Sequence, residues 1–157
     1  MSEDFYDAAV FGDMAKLKSM LAIDPDLVKS MGEYGFTALH GVASEEHYGA
    51  ATYLIDNGAD VNAKNDEGIA PLHLAAWPQM VELLISRGAE IDVRDESGRT
   101  PLMVHAEEAE DCDVMEMLLR LGADALAADE DGDTALSIAK ERQEPDKIKI
   151  LESHQRK

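Results

Sequence analysis

The run Asp129-Glu130-Asp131-Gly132-Asp133 has the residue types and spacing to ligate a hard cation, with carboxylates where a calcium loop places its ligands at positions 1, 3 and 5. Two positions break that pattern. Thr134 stands where the loop needs glycine, and Lys140 stands where it needs a bidentate glutamate. The segment therefore reads as a turn. The denser acidic run Glu107-Glu108-Ala109-Glu110-Asp111-Cys112-Asp113 reads as a solvated inter-helix loop that collects cations loosely. Cys112 is the single cysteine, so it closes no disulfide framework and completes no multi-cysteine metal site. Its neighbours Asp111 and Asp113 disfavour the thiolate that a nucleophile needs. The chain has no Gly-rich phosphate loop, no H-E-x-x-H and no G-x-S-x-G. With 33 Asp+Glu, a carboxylate pair for general acid–base work stays open from sequence, which keeps a carboxylate- or metal-dependent enzyme as a remote alternative. No catalytic residue, cofactor or metal ligand is assigned.

The elements that position these groups belong to one acidic domain. The 157 residues carry 14 Lys+Arg against 33 Asp+Glu, a formal charge of −19, with 45% apolar and 5% aromatic residues. A chain of this length buries roughly two-thirds of its unfolded surface, enough to fold without disulfides or metal. Such a charge repels phosphate, so nucleic acid is not the expected ligand. No stretch reaches the 18 apolar residues of a membrane span. The start, Met1 to Asp7, holds three acids and no base, unlike the positive opening of a secretory signal. A cytoplasmic location is the expectation.

A self-match appears four times: Gly35-Phe36-Thr37-Ala38-Leu39-His40, Gly68-Ile69-Ala70-Pro71-Leu72-His73, Gly98-Arg99-Thr100-Pro101-Leu102-Met103 and Gly132-Asp133-Thr134-Ala135-Leu136-Ser137. A second motif interleaves with it: Leu54-Ile55-Asp56-Asn57-Gly58-Ala59-Asp60, Leu84-Ile85-Ser86-Arg87-Gly88-Ala89-Glu90 and Leu118-Leu119-Arg120-Leu121-Gly122-Ala123-Asp124. Mechanically, Thr37, Thr100 and Thr134 cap a first helix, and Pro71 and Pro101 suit its first position, where the amide has no partner anyway. A second helix carries an apolar stripe and stops at Gly58, Gly88 or Gly122, where glycine permits a left-handed cap. Leu54, Ile55, Leu83, Leu84, Leu118 and Leu119 are the expected buried residues of that stripe. Asx-Gly segments such as Asn65-Asp66-Glu67-Gly68 then form a tight turn into the next pair.

This arrangement resembles the ankyrin repeat, a turn followed by two antiparallel helices with a T-P-L-H-x-A signature. The resemblance implies an all-α solenoid of stacked helix-turn-helix units joined by β-hairpin-like turns. As one domain over 1–157 it divides into an amino-terminal cap (1–32), a repeat (33–65), a short repeat (66–95) lacking three residues around Trp77-Pro78, a repeat (96–129) with one extra residue near Asp111-Cys112, and a charged carboxy-terminal cap (130–157). It also implies that His40 and His73 tie neighbouring units by hydrogen bonds, while Met103 weakens one such tie. His105 is expected packed or solvated, and His47 and His154 in loop or tail.

Members of this family recognise partners on a concave side built from turn tips and first-helix ends. Carried over position by position, that face takes Tyr34, Phe36 and Glu45 from the first full repeat, and Asp66, Glu67, Ile69 and Trp77 from the second. It takes Glu96, Arg99, Glu107 and Glu108 from the third, and Asp131 and Asp133 from the closing unit. Tyr34, Phe36, Ile69 and Trp77 make an apolar anchor beside an acidic field, with the third repeat as its acidic pole. Trp77 has a second reading, folded over the shortened turn to cover the core. The expected function is non-catalytic binding of another protein, of basic character. No nucleic acid, membrane, small-molecule substrate or cofactor is expected. An inhibitor or immunity-type protein that neutralises a basic toxin or nuclease is the alternative.

Overall fold

The computed structural model describes residues 3–108 and 112–155. Its described helices are α1 (Glu3–Val10), α2 (Met14–Ile23), α3 (Ala38–Ala43), α4 (Tyr48–Asp56), α5 (Pro78–Ser86), α6 (Pro101–Glu108), α7 (Asp113–Arg120), α8 (Ala135–Glu141) and α9 (Pro145–Gln155). A 3-10 turn, Pro71–Leu74, replaces the first helix of the second repeat. No strand forms among the described residues, only an isolated bridge between Ala128 and Thr134. Nor is any described helix long and apolar enough to cross a membrane.

Two layers result. The inner layer runs α1, α3, the Pro71–Leu74 turn, α6, α8, each packing on the next; the outer layer runs α2, α4, α5, α7 in the same way, with α9 closing on α8. Every principal pairing joins elements of one unit or of adjacent units, the quasi-one-dimensional organisation of a repeat stack. The same register position supplies Leu54, Leu84, Leu118 and Leu151, all fully buried between the layers. Close approach of the first two inner helices rests on Gly41: a Cβ there would lie 2.6 Å from the Tyr6 hydroxyl.

Most of the local chemistry follows the sequence reading. Thr37 accepts from the His40 amide at 3.4 Å and Thr134 from the Ser137 amide at 3.2 Å, so both cap their helices. The outer helices α4 and α5 and α7 lead into Gly58, Gly88 and Gly122 at φ 98°, 92° and 102°. Three points differ. The Thr100 hydroxyl is buried and makes no hydrogen bond, so α6 starts from Pro101 without that cap. Ile55 and Leu83 are half-buried, because they sit about 100° round the helix from Leu54 and Leu84 and the outer layer is covered on one side only. His154 lies on α9, its ring against the Ile150 carbonyl, rather than in a tail. His105 is packed, and His47 precedes α4 as its N-cap.

Candidate binding face

Four turns of similar build line one edge of the stack. In each, the first residue's amide bonds the fifth residue's carbonyl: Gly32 to Phe36 at 2.7 Å, Asn65 to Ile69 at 3.0 Å, Asp95 to Arg99 at 3.0 Å and Asp129 to Asp133 at 2.9 Å. In the last three an Asx side chain holds the tip. Asn65 Oδ1 accepts from the amides of Glu67 and Ile69, Asp95 Oδ1 from Ser97 and Arg99, and Asp129 Oδ1 from Asp131 and Asp133. The Asp129–Asp133 run is thus the turn its spacing suggested. One backbone bond joins each tip to the next: the Asp66 amide to the Tyr34 carbonyl at 2.9 Å, Glu96 to Glu67 at 2.9 Å and Glu130 to Ser97 at 3.1 Å.

The first turn departs from this pattern. Gly32 occupies the Asx position and offers no side-chain acceptor, so the tip closes as a 3-10 turn over Glu33–Gly35. That closure puts Tyr34 in the left-handed region, φ 54° and ψ 24°, with the residue 71% exposed. A bulky side chain there costs about 1–2 kcal/mol. An aromatic residue is therefore held toward solvent in a conformation it does not favour.

The inner helices tie the turns together. Each histidine Nδ1 accepts a backbone amide, His40 from Thr37 at 3.1 Å and His73 from Ala70 at 3.0 Å. The proton therefore sits on Nε2, which donates to the Ile69 carbonyl at 2.9 Å from His40 and to the Arg99 carbonyl at 3.1 Å from His73. Burial pushes both imidazoles below their ordinary pKa, only partly opposed by those carbonyls. Phe36 packs edge-on against the His40 ring, centroids 5.5 Å apart, so it is half-buried with part of its surface given to the scaffold. Met103 is buried in the core, and the closing turn is held instead by Arg94, which donates to the carbonyls of Gly98 and Ala128.

Among the described residues, the carboxylates of Asp66, Glu67 and Glu96 are exposed at the tips without a side-chain hydrogen bond or ion pair. Ile69 is half-buried behind them. Glu45 lies at the end of α3 near the Ser44 hydroxyl, and burial together with the charges of Asp7 and Glu45 lifts the Tyr6 phenol above its usual pKa. Trp77 is the extended N-cap residue of α5 and is 39% exposed, so it partly covers the shortened unit and partly faces solvent.

At the other end, a cleft of about 330 Å³ brings together Arg99, Glu107, Asp131 and Asp133 with Glu141 and Arg142. Here the acidic pole is not a bare field. Arg99 bonds Asp95 Oδ2 at 3.2 Å and Glu107 Oε2 at 2.6 Å, and Arg142 approaches Glu107 Oε1 at 3.8 Å. Burial weakens the Arg99 charge, but Asp95 and Glu107 outweigh it and hold the guanidinium above its usual pKa. Glu107 is consequently a structural partner of two arginines rather than a free rim charge. Glu108 ends α6, and its side chain, like residues 109–111 of the acidic run, lies outside the described residues.

Phe11 was not among the expected contact residues. It is 74% exposed at the α1–α2 turn, beside His47 across Gly12, where a Cβ would lie 2.6 Å from the imidazole Nδ1. It thus neighbours the Ser44–His47 turn of the first repeat. The sequence carries the correspondence: Phe11-Gly12-Asp13 joins the two helices of the amino-terminal pair where Ser44-Glu45-Glu46 joins those of the next.

The model of a family described as ankyrin repeats, in 3 copies, matches residues 5–95 and 72–156. Among curated proteins, the chain is 41% identical over 68 residues to alpha-latrocrustotoxin-Lt1a of Latrodectus tredecimguttatus, covering 43% of this chain and 5% of that protein. It is 32% identical over 83 residues to the probable E3 ubiquitin-protein ligase XBOS31 of Oryza sativa subsp. japonica, 52% of this chain and 19% of that one. It is 39% identical over 54 residues to ankyrin repeat and SOCS box protein 5 of Oryctolagus cuniculus, 34% of this chain and 16% of that one. The chain thus spans less than a fifth of these relatives, and what it shares with them is the repeat. With the turn-and-two-helix unit, the histidine ties and the family match over nearly its whole length, the chain belongs to the ankyrin-repeat family.

Proposed function

We propose that this protein is a non-catalytic interaction module that binds a basic protein in the cytoplasm, using the face formed by its turn tips and inner-helix ends. Ankyrin repeats serve in general as protein-interaction modules. The observation that carries the assignment to this face is Tyr34, exposed and held in a left-handed conformation next to the free carboxylates of Asp66 and Glu67. Strain of this kind persists only where surrounding structure or function maintains it. Phe11, Phe36 and Trp77 extend the apolar half, and the unpaired tip carboxylates supply charge for orientation and encounter.

The test separates binding from folding. Tyr34→Gly relieves the backbone strain, so it should hold or raise the melting temperature while costing roughly 2 kcal/mol of binding, about 30-fold in Kd, mostly through faster dissociation. Immobilised wild type and variant are incubated with native lysate, and the captured proteins are identified by mass spectrometry and then titrated individually. A basic protein retained by wild type and lost with Tyr34→Gly supports the reading. An identical set of captured proteins, with equal affinities, overturns it.

A further inference from the structure

We infer that Asn57 is a site of self-modification: when the end of α4 opens, the Gly58 amide nitrogen closes on the Asn57 side chain and expels ammonia, and the aspartate or isoaspartate left behind keeps that end from closing again. Asn57 lies on the outer layer, away from the turn tips, so this chemistry is independent of the protein-binding role.

Three asparagines occur, Asn57, Asn62 and Asn65, and the structure separates them. Asn65 is 6% exposed, and its Oδ1 accepts the Glu67 and Ile69 amides. Asn62 is tied across units through both side-chain atoms, its Nδ2 donating to the Gly88 carbonyl at 3.0 Å and its Oδ1 accepting from the Glu90 amide at 2.9 Å. Both precede a residue whose Cβ crowds the nitrogen that would attack, Asp66 and Ala63. Asn57 differs on every count. It is exposed, and among the described residues its side chain bonds only the Tyr53 carbonyl of its own helix, at 2.8 Å. It precedes Gly58, where even an added Cβ would meet nothing within 4 Å. An unhindered nitrogen and open space for a ring therefore coincide at this asparagine.

Folding gates the reaction. At Asn57, φ −98° and ψ 10° turn the Gly58 nitrogen away from Asn57 Cγ, and two backbone bonds hold it there, Gly58 to the Ile55 carbonyl and Ala59 to the Leu54 carbonyl, each 3.0 Å. Ring closure must break both, so it starts from the frayed helix end, which opens at small free-energy cost. The Gly58 nitrogen then bonds Cγ as the Cγ–Nδ2 bond breaks, and the amide proton leaves with Nδ2 as ammonia. Water opens the resulting five-membered imide, at Cγ to give aspartate or at the backbone carbonyl to give isoaspartate. No oxidant or reductant is needed.

Neither product restores the cap. Aspartate sets a carboxylate oxygen where an amide donor met the Tyr53 carbonyl, and it adds negative charge beside Asp56 at the negative end of α4. Isoaspartate lengthens the main chain by one methylene, so the Gly58–Ile55 and Ala59–Leu54 pair loses register. The next unit shows the contrast. Arg87 holds the same C-cap conformation, φ −99° and ψ 10°, with a cation that suits a helix C-terminus and pairs with Asp56.

The experiment holds the full chain at 37 °C and pH 7.4, folded in one sample and in 6 M guanidinium chloride in another, and follows each asparagine by tandem mass spectrometry of proteolytic fragments. In the folded sample Asn57 should gain one mass unit, at a rate at least about tenfold below that of the unfolded chain, while Asn62 and Asn65 keep their mass. Gly58→Ala separates reactivity from stability: it weakens the helix end yet should slow the conversion about tenfold or more, because its Cβ crowds the attacking nitrogen. Asn57→Gln should abolish the gain. Asn57→Asp, which reproduces one product, should lower the melting temperature by about 2–4 °C. A folded chain of constant mass while the unfolded chain converts, an equal gain at Asn62 or Asn65, or conversion of Gly58→Ala at the wild-type rate would each overturn the site. An Asn57→Asp chain that melts with wild type would overturn the lasting effect on the helix end.

Discussion

The ammonium of Lys147 donates to the carbonyl of Ala106 at 3.1 Å, joining α9 to the last turn of α6 across 41 positions. The residue is 2% exposed and occupies the register that Ala50, Met80 and Val114 fill in the preceding units. Its aliphatic stem does the packing of a core residue, and its charge meets the negative end of α6 one residue before Glu107. Lys147→Ala should cost about 2–4 kcal/mol in urea unfolding, because it removes both the packing and a buried bond. Lys147→Met keeps the volume and should stay within about 1 kcal/mol of wild type. Equal losses in the two variants would mean that the charge, not the stem, matters.

His40 and His73 give the fold a defined acid limit. Both are neutral when folded, with pKa values held below the unfolded value of about 6.5, so the unfolded chain binds protons first as pH falls. Stability from this source is complete above about pH 7 and declines below about 6.5, by at most about 1.4 kcal/mol per pH unit for each histidine, until the folded values are reached. Denaturant midpoints between pH 7.5 and 5.5 should show this slope, and His73→Gln should remove about half of it. A flat profile in wild type would place the histidines outside the acid limit.

Gly58 and Gly68 share a positive φ, 98° and 76°, but not a neighbourhood. A Cβ on Gly58 meets nothing within 4 Å, whereas one on Gly68 lies 2.7 Å from the Glu96 amide nitrogen. Gly58→Ala should therefore cost about 1 kcal/mol, the backbone term alone. Gly68→Ala should cost at least about 1 kcal/mol more, because it pushes apart the turns joined by the Glu96–Glu67 bond. Thermal melts of the pair decide whether contact or conformation dominates.

The net charge of −19 predicts a salt response. Self-repulsion is screened over a Debye length of about 10 Å at 0.1 M salt, so the melting temperature should rise between low-millimolar and about 0.3 M NaCl. Each kcal/mol of relief corresponds to about 2–4 °C for a chain of this size. A midpoint that falls instead would show that pairs such as Arg99–Glu107 and Arg87–Asp56 outweigh the repulsion.

The repeat architecture was legible because it is written in backbone requirements: glycine at left-handed helix ends, Asx at turn tips, threonine and histidine at helix starts. Where one residue does one local job, as at Gly88 or Asp95, type and spacing suffice. The misses fall where a residue's partner is distant in sequence. Nothing near Lys147 says that its stem replaces a core aliphatic or that its target is the Ala106 carbonyl. The pairing of Glu107 with Arg99 and Arg142 turns an apparent free acid into a bridge, and it depends on how the third unit meets the last. Thr100 matches the capping pattern by letter, yet with Met103 in place of histidine the reciprocal side-chain partner is missing and its hydroxyl stays unbonded. Tyr34 was legible as an aromatic at a tip but not as a strained one, since the strain arises from Gly32 lacking an acceptor.

Five of the stitches between the full repeats have nearly the same reach. His40 to Ile69, His73 to Arg99, Lys64 to the Arg94 carbonyl, the Glu90 amide to Asn62 and the Asp124 amide to Asp92 span 29, 26, 30, 28 and 32 positions. Each binds one unit to the next and none bridges two. Under tension applied at the chain ends, no bond of this set clamps the whole stack, so it should yield one unit at a time from an end. Each release frees about thirty residues, a contour gain of about 100 Å at 3.3–3.6 Å per residue. Pulled between two anchors, the protein should act as a staged extensible tether, with a sawtooth of evenly spaced low-force events rather than a single rupture.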